Sequence, residues 1–325
     1  MDDMTNPIHI NDLHKNLPQE VDLFICSSSF EERCLKLPEG VSKRLTIKKS
    51  LVFYISDLYQ VIVDNSYLLE EILKPKLSSS RVELKTSTPF NNAITITESI
   101  SELVYNGPLN NVIVDTSTFT HENLLILLRI LVVKKEKIKN LFLSYVGASD
   151  YDIHQPKPDL KWLSSGISSI RSVVGYPGVI SPARNNHLIV LFGFESSRTQ
   201  ILIDHLEFNE LSLGFGPEDK SISNEHYWLN RKRHEVLLNR YSRAHSFTFG
   251  LRDPFESQDD IEKQIEKFPD HNIVIVAMNN KISTIGAGLA AIANPKIQII
   301  YAKPIEYNIN GYSTSKDEVF THKLA

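Results

Sequence analysis

His187–Leu202, HLIVLFGFESSRTQIL, decides how the chain is read. Residues 188–192 are an unbroken apolar run, Gly193 ends it, and Phe194-Glu195-Ser196-Ser197-Arg198 leads into a helix-like pattern. A buried strand, a short glycine-bearing turn and a helix are how a parallel α/β unit places a binding loop at the carboxyl end of a strand. The stretch has an echo at residues 23–35, LFICSSSFEERCL, with an apolar run, a small-residue turn, Phe-Glu, an Arg and a helix-like continuation. Phe30 and Phe194 stand 164 positions apart, and the later strand ends at Asp115 and Ala277 stand 162 apart. Two landmarks at nearly one offset point to a duplicated unit.

Outward from these turns, two series of alternating elements follow. In the first, strands are predicted over 21–26, 51–55, 82–85, 112–114 and 141–146, and helices over 68–73, 93–105 and 123–133. In the second, strands over 188–192, 211–215, 247–250, 273–278 and 297–301 alternate with helices over 199–205, 224–242, 259–268 and 284–293. Such alternation predicts parallel sheets covered by helices. Residues 1–20 are polar, are broken by Pro7 and Pro18, and read as an arm. Around 150–186, Pro156, Pro158, Pro177 and Pro182 with Gly166, Gly175 and Gly178 break every periodicity, which marks a linker or a functional cover. The expected fold is α/β, two tandem Rossmann-like parallel-sheet lobes arising by duplication. The arm spans 1–20, the first lobe 21–155, a Pro/Gly-rich connector 156–186, and the second lobe 187–325, whose last residues are a polar tail.

Composition narrows the function classes. With 325 residues, 42% hydrophobic and 23% charged, the chain has an ordinary globular make-up and material for two cores. A net charge of −4 argues against a chain-wide electrostatic grip on DNA or anionic lipid. Cys26 and Cys34 make no disulfide framework and read as small core residues in a reducing compartment. No apolar run approaches the ~18 residues of a membrane span, and the segment MDDMTNPIHIND has no apolar signal region. A cytoplasmic protein without a membrane partner is expected.

Ligands of parallel sheets bind beyond the carboxyl ends of the strands, which singles out four turns. In the first pair, Ser27 to Arg33 and Gly193 to Arg198, a helix begins after small residues. Its free amides and positive dipole end favour an anion, which Arg33 or Arg198 could pair. Glu31 and Glu195 either hold these arginines in place, accept from a ribose hydroxyl, or act as general acid or base. The match is imperfect, because Glu31 and Arg33 are two apart whereas Glu195 and Arg198 are three apart. In the second pair, Asp115-Thr116-Ser117-Thr118 offers a carboxylate and short donors. Asn279-Asn280-Lys281 offers two amides and a cation suited to phosphate. The candidate ligand-binding residues are thus Ser27, Ser28, Arg33, Thr116, Ser117, Gly193, Glu195, Arg198, Asn279, Asn280 and Lys281, and the candidate catalytic residues Glu31, Glu195 and Asp115.

Other signals are set aside. Gly286-Ala287-Gly288-Leu289-Ala290-Ala291 matches a dinucleotide fingerprint, but it follows the strand 273–278 too late, and the next strand ends at Lys303-Pro304 without an acidic ribose ligand. Its small residues are expected to let a helix lie close to the sheet, and no cofactor is expected. His226 and His234 are eight apart on one predicted helix and suggest no metal. The segment 224–244, with Arg231, Lys232, Arg233, Arg240 and Arg243, reads as a solvated face or as a contact for phosphates, nucleic acid or an acidic partner. No complete catalytic constellation is present.

The small-residue turns at Ser27–Ser29 and Gly193, with Lys281 on a later turn, resemble the CARF domain group, Rossmann-like sensors of cyclic oligonucleotides. A fused pair in one chain resembles the related SAVED arrangement. GFESSR and the ending KPIEYNINGYS resemble bacterial proteins of antiviral defence clusters. Asp115 to Thr118 stand where that group would have a lysine in the first half. The resemblance implies a nucleotide or phosphorylated ligand between the lobes and a sensor or subunit of a defence complex with a protein partner. The alternatives are a nucleotide hydrolase of the ring-nuclease or nucleosidase type and a ligand-free scaffold. DNA or RNA contact is expected only through the basic helix.

Overall fold

A computed structural model describes residues 7–105, 107–152, 154–310 and 312–324. Residues 1–149 with 313–325 form one unit and residues 150–312 a second. In the first unit the elements run β1 (Ile8–His9), β2 (Glu20–Ser27), α1 (Arg33–Ser42), β3 (Thr46–Ile55), α2 (Gln60–Leu73), β4 (Ser78–Leu84), α3 (Pro89–Tyr105), β5 (Leu109–Asp115), α4 (His121–Val133) and β6 (Ile138–Tyr151). The second unit continues with β7 (Ser164–Ser165), β8 (Ser169–Pro177), β9 (Asn186–Leu191), α5 (Ser196–His205), β10 (Glu210–Phe215), α6 (Asn224–Arg233), α7 (Glu235–Arg240), β11 (His245–Thr248), α8 (Pro254–Ile265), β12 (Asn272–Ala277), α9 (Lys281–Ala293), β13 (Gln298–Lys303) and β14 (Glu306–Tyr307). The final strand, β15 (Ser313–Lys323), belongs to the first unit.

The fold is two Rossmann-like lobes with one strand order. The first sheet runs β1-β15-β6-β5-β2-β3-β4 and the second β11-β10-β9-β12-β13-β8. Counted from the first parallel strand of each lobe, both sheets read 3-2-1-4-5 with an antiparallel strand beside the fifth. The order reverses at β2/β5 in one lobe and β9/β12 in the other, so the turns after these strands lie at the switch points where α/β sheets bind ligands.

Burial follows the sequence pattern. The central strands β2, β5, β9 and β12 are hydrophobic on both faces because helices cover both. Phe24, Val52, Ile113 and Val146 anchor the first core, and Leu188, Val190, Phe192, Leu213 and Val276 the second. Each such side chain stabilises its core by roughly 1.5–3 kcal/mol. In α9 the small residue Gly286 packs closely on a second helix, α8. A Cβ on Gly286 would stand 2.6 Å from the Ser257 Cβ and 2.8 Å from the Pro254 carbonyl oxygen, both on α8. Gly286 lies inside α9, away from any strand-to-helix turn, so no dinucleotide loop is formed there.

Several boundaries differ from those expected. The arm carries β1 and a single 3₁₀ segment whose Ile10 and Leu13, with Leu17, are buried in the first core; these spaced apolar side chains outweigh the flanking prolines. Residues 1–6 lie outside the described residues. The connector contributes β7 and β8 to the second unit, with Val173 and Tyr176 buried. The polar tail is not part of the second lobe. Its residues 313–323 form β15, buried at Val319–His322, in the first sheet. The predicted helix 224–242 breaks at His234 into α6 and α7. No helix among the described residues is long and apolar enough to cross a membrane.

Inside the second core, His187 on β9 is fully buried, with its Nε2 2.7 Å from Ser212 Oγ and its ring edge-on to Phe268 at 4.7 Å. Burial, with His271, His245 and Lys267 nearby, pushes its pKa from 6.5 down to about 4. The unfolded chain takes up this proton first, so the stability is present above pH 6.5 and is lost as pH falls towards 4. His187 by itself should therefore account for a loss of roughly 3 kcal/mol over that window in urea unfolding, to which the buried His234 adds and the raised Asp115 is opposed. His187→Gln should make the slope shallower by about that amount, leaving the share of His234; a slope unchanged in the variant would show that His187 makes no contribution.

Candidate functional site

The turn after β2 is closed. Ser27, Ser28 and Ser29 are buried, and Ser28 Oγ donates to the Ile62 carbonyl at 2.8 Å. Glu31 and Arg33 are also buried and form an ion pair at 2.9 Å. Arg33 Nη1 donates to the Val146 carbonyl on β6 at 3.1 Å, and Glu31 accepts from Ser313 Oγ on β15 at 2.6 Å. The charges that the sequence offered to a ligand are thus engaged inside the first unit.

The turn after β5 is closed as well. Asp115, Thr116 and Ser117 are buried, and Thr116 Oγ1 donates to the Ser144 carbonyl at 3.0 Å. Asp115 Oδ1 accepts from the amide and hydroxyl of Ser117, whose Oγ in turn accepts from the Val146 amide at 2.9 Å. Burial pushes the Asp115 pKa up to about 6, and its Oδ2 is buried without a hydrogen-bond partner. Cys26 and Cys34 are free, buried thiols raised by desolvation, Cys34 to about 12, which makes them inert at neutral pH.

The second lobe brings its two turns together and leaves them more open. A Cβ on Gly193 would run into the Met278 carbonyl, so only glycine lets the backbones after β9 and β12 approach this closely. Asn279 Nδ2 donates to the Phe192 carbonyl, and Asn280 Nδ2 donates to the Leu251 carbonyl at 2.8 Å. Asn280 Oδ1 also caps α9 by accepting from the Ser283 amide at 2.9 Å. Lys281 lies in the first turn of α9, beside the helix's positive end. Glu195, Ser196, Asn279, Asn280 and Lys281 are all partly exposed, whereas Ser27, Ser28, Glu31, Asp115, Thr116 and Ser117 are buried.

Glu195 and Arg198 nevertheless have structural partners. Glu195 Oε1 accepts from the Leu163 and Ser164 amides at 2.5 and 3.2 Å. Burial raises its pKa, opposed by those two amides and by Arg233 and Arg198. Arg198 donates to Ser164 Oγ at 2.7 Å, to the Gly166 carbonyl at 3.2 Å and to the Ala302 carbonyl on β13 at 2.6 Å.

The basic segment is also engaged. Arg231 stacks on Phe215 at 4.3 Å, and Lys232 pairs with Asp159 at 3.1 Å. Arg233 lies over Phe194 at 4.1 Å and donates to the Pro158 carbonyl at 2.8 Å. Arg240 pairs with Asp204 at 3.0 Å. Sequence reasoning missed this packing and also His234, which is fully buried and stacked on Phe192 at 4.3 Å, with its pKa held down at about 4 by burial. Its eight-residue spacing from His226 is two helical turns and carries no sign of a stacking partner. Among the described residues, no group of three or more His, Cys, Asp or Glu side chains is placed to hold a metal ion.

No family model matches the chain, and no curated protein matches it in sequence. Among solved structures, it is similar to a universal stress protein from Archaeoglobus fulgidus DSM 4304, at 9% identity and a TM-score of 0.26, over 89% of this chain and 98% of that one. It is also similar to a functionally unknown protein from Pseudomonas aeruginosa PAO1, at 10% identity and a TM-score of 0.26, over 87% and 93% of the two chains.

Gly193→Ala should cost about 3 kcal/mol, because the clash is with backbone that cannot rotate away. Thermal or urea unfolding measures this directly; a loss below about 0.5 kcal/mol would show that the two turns are not held this close.

Proposed function

We propose that the second lobe binds a phosphorylated small molecule of the nucleotide class at the turns after β9 and β12. The observation that carries this reading is the contrast in burial at equivalent switch points: the turns of the first lobe are closed, and those of the second are partly open, with Lys281 at the start of α9. A helix start with a lysine in its first turn suits a phosphate, through backbone amides, dipole and cation together.

Binding is favoured over hydrolysis because each candidate carboxylate is already committed. Glu31 is paired with Arg33, Asp115 is buried against Ser117, and Glu195 holds two backbone amides. A sensor, or a subunit of a bacterial antiviral defence complex, is the role we assign, on the resemblance of GFESSR and its paired turn to such proteins. One observation favours a hydrolase as the second reading: burial raises the pKa of Glu195, as a general acid requires.

Equilibrium dialysis against inorganic pyrophosphate, NAD, and linear and cyclic nucleotides, read by mass, separates these readings. At least one phosphorylated compound should be retained with its mass unchanged, and Lys281→Ala should weaken that binding at least tenfold. Binding of none by the wild-type chain, or equal binding by Lys281→Ala, would overturn the assignment. Turnover abolished by Glu195→Gln would favour the hydrolase.

A further inference from the structure

In each sheet, the antiparallel strand beside the fifth parallel strand comes from the wrong half of the chain. After β6 completes the five parallel strands of the first lobe, the chain continues into β8, which pairs with β13 of the second. After β13 completes the second lobe's set, the chain continues into β15, which lies beside β6 of the first. The β8 pairing places Ile300 opposite Ser172 and Lys303 opposite Ser169. The β15 pairing is tied by Leu324 N to Leu141 O at 2.8 Å and by Ser144 Oγ with Thr321 Oγ1 at 3.0 Å. The sequence repeat is therefore five parallel strands and a sixth antiparallel strand, and the sixth strands are exchanged.

The duplicated Phe-Glu-Arg turn meets this exchange in both lobes. In the first, Glu31 accepts from Ser313, the opening residue of the incoming β15, while Arg33 donates to the Val146 carbonyl of the fifth strand, β6. In the second, Glu195 accepts from Leu163 and Ser164, on the segment that leads into β8, while Arg198 donates to the Ala302 carbonyl of the fifth strand, β13. The roles are the same twice over: carboxylate to the incoming segment, guanidinium to the fifth strand. The one-residue difference in spacing also has a consequence. Glu31 and Arg33 pair with each other, whereas Arg198 is directed to the incoming segment as well, at Ser164 and Gly166.

We infer that the chain is a fused, strand-exchanged pair of repeats, and that the Phe-Glu-Arg turn of each lobe is the lock that seats the strand received from the other repeat. Strand exchange is a low-cost way for identical units to associate, and it covers a sheet edge that would otherwise be open. A single repeat would keep an open edge beside its fifth strand, which in this chain is filled by the sixth strand of the other repeat. The inference is independent of any ligand. It makes Glu31, Arg33, Glu195 and Arg198 positioning residues rather than catalytic ones.

The test uses the full-length chain with a protease site placed within residues 181–184, between β8 and β9, and cut after folding. Each piece then keeps the sixth strand of the other's sheet, so the two should elute together at 1:1 in buffer and separate only in urea. Glu195→Gln, Arg198→Lys and the milder Ser313→Ala should each lower the urea concentration needed, whereas Glu207→Gln, away from both locks, should not. Separation of the cut wild-type pieces in buffer would overturn the exchange. An unchanged urea requirement in all three lock variants would overturn the lock.

Discussion

A carboxylate that folding removes from water must be given hydrogen-bond donors or a counter-charge, and the architecture depends on how two of them are served. Glu31 receives Arg33 and the Ser313 hydroxyl, and Glu195 receives the Leu163 and Ser164 amides. Each glutamate follows the first parallel strand of its lobe, and each receives at least one donor from a segment more than thirty residues away in sequence. These bonds hold a non-local strand at the edge of a sheet, where loop-closure entropy opposes it. Breaking those of Glu31 would leave a buried charge under-served, which costs far more than losing a surface ion pair.

The same commitment shapes the functional reading. Residues that look like an anion site in sequence are, in the first lobe, a closed polar network running from Glu31 and Arg33 through Val146 to Ser117 and Asp115. The second lobe uses its Glu–Arg pair in the same structural way but keeps Asn279, Asn280 and Lys281 partly open beside the Gly193 turn. The two lobes thus differ at equivalent switch points: the first is closed, and the second stays partly open.

The legible part of the fold was the part with strong hydrophobic period. Residues 188–192 and 273–278 read as buried strands, and 284–293 as a helix, because apolar and small residues leave no other low-energy arrangement. The exchange was not legible. β8, SIRSVVGYP, and β15, STSKDEVFTHK, are edge or near-edge strands whose polar composition resembles loop, and partner choice leaves no local mark in a strand. Of the site, the recurrence of Phe-Glu-Arg was visible but its purpose was not. A buried ion pair and an anion-binding arginine use the same residues, and only the positions of Val146, Ala302, Ser164 and Ser313 distinguish them.

Amide hydrogen exchange across residues 313–323, in the wild-type chain and in Glu31→Gln, tests the central claim most directly. The account predicts that β15 is protected as strongly as β2 and β5 in the wild type. In the variant, exchange should quicken at least tenfold in β15 while that of β9 and β12 stays unchanged. Wild-type amides of 313–323 exchanging as freely as a tail, or a variant in which β15 is unaffected, would contradict it.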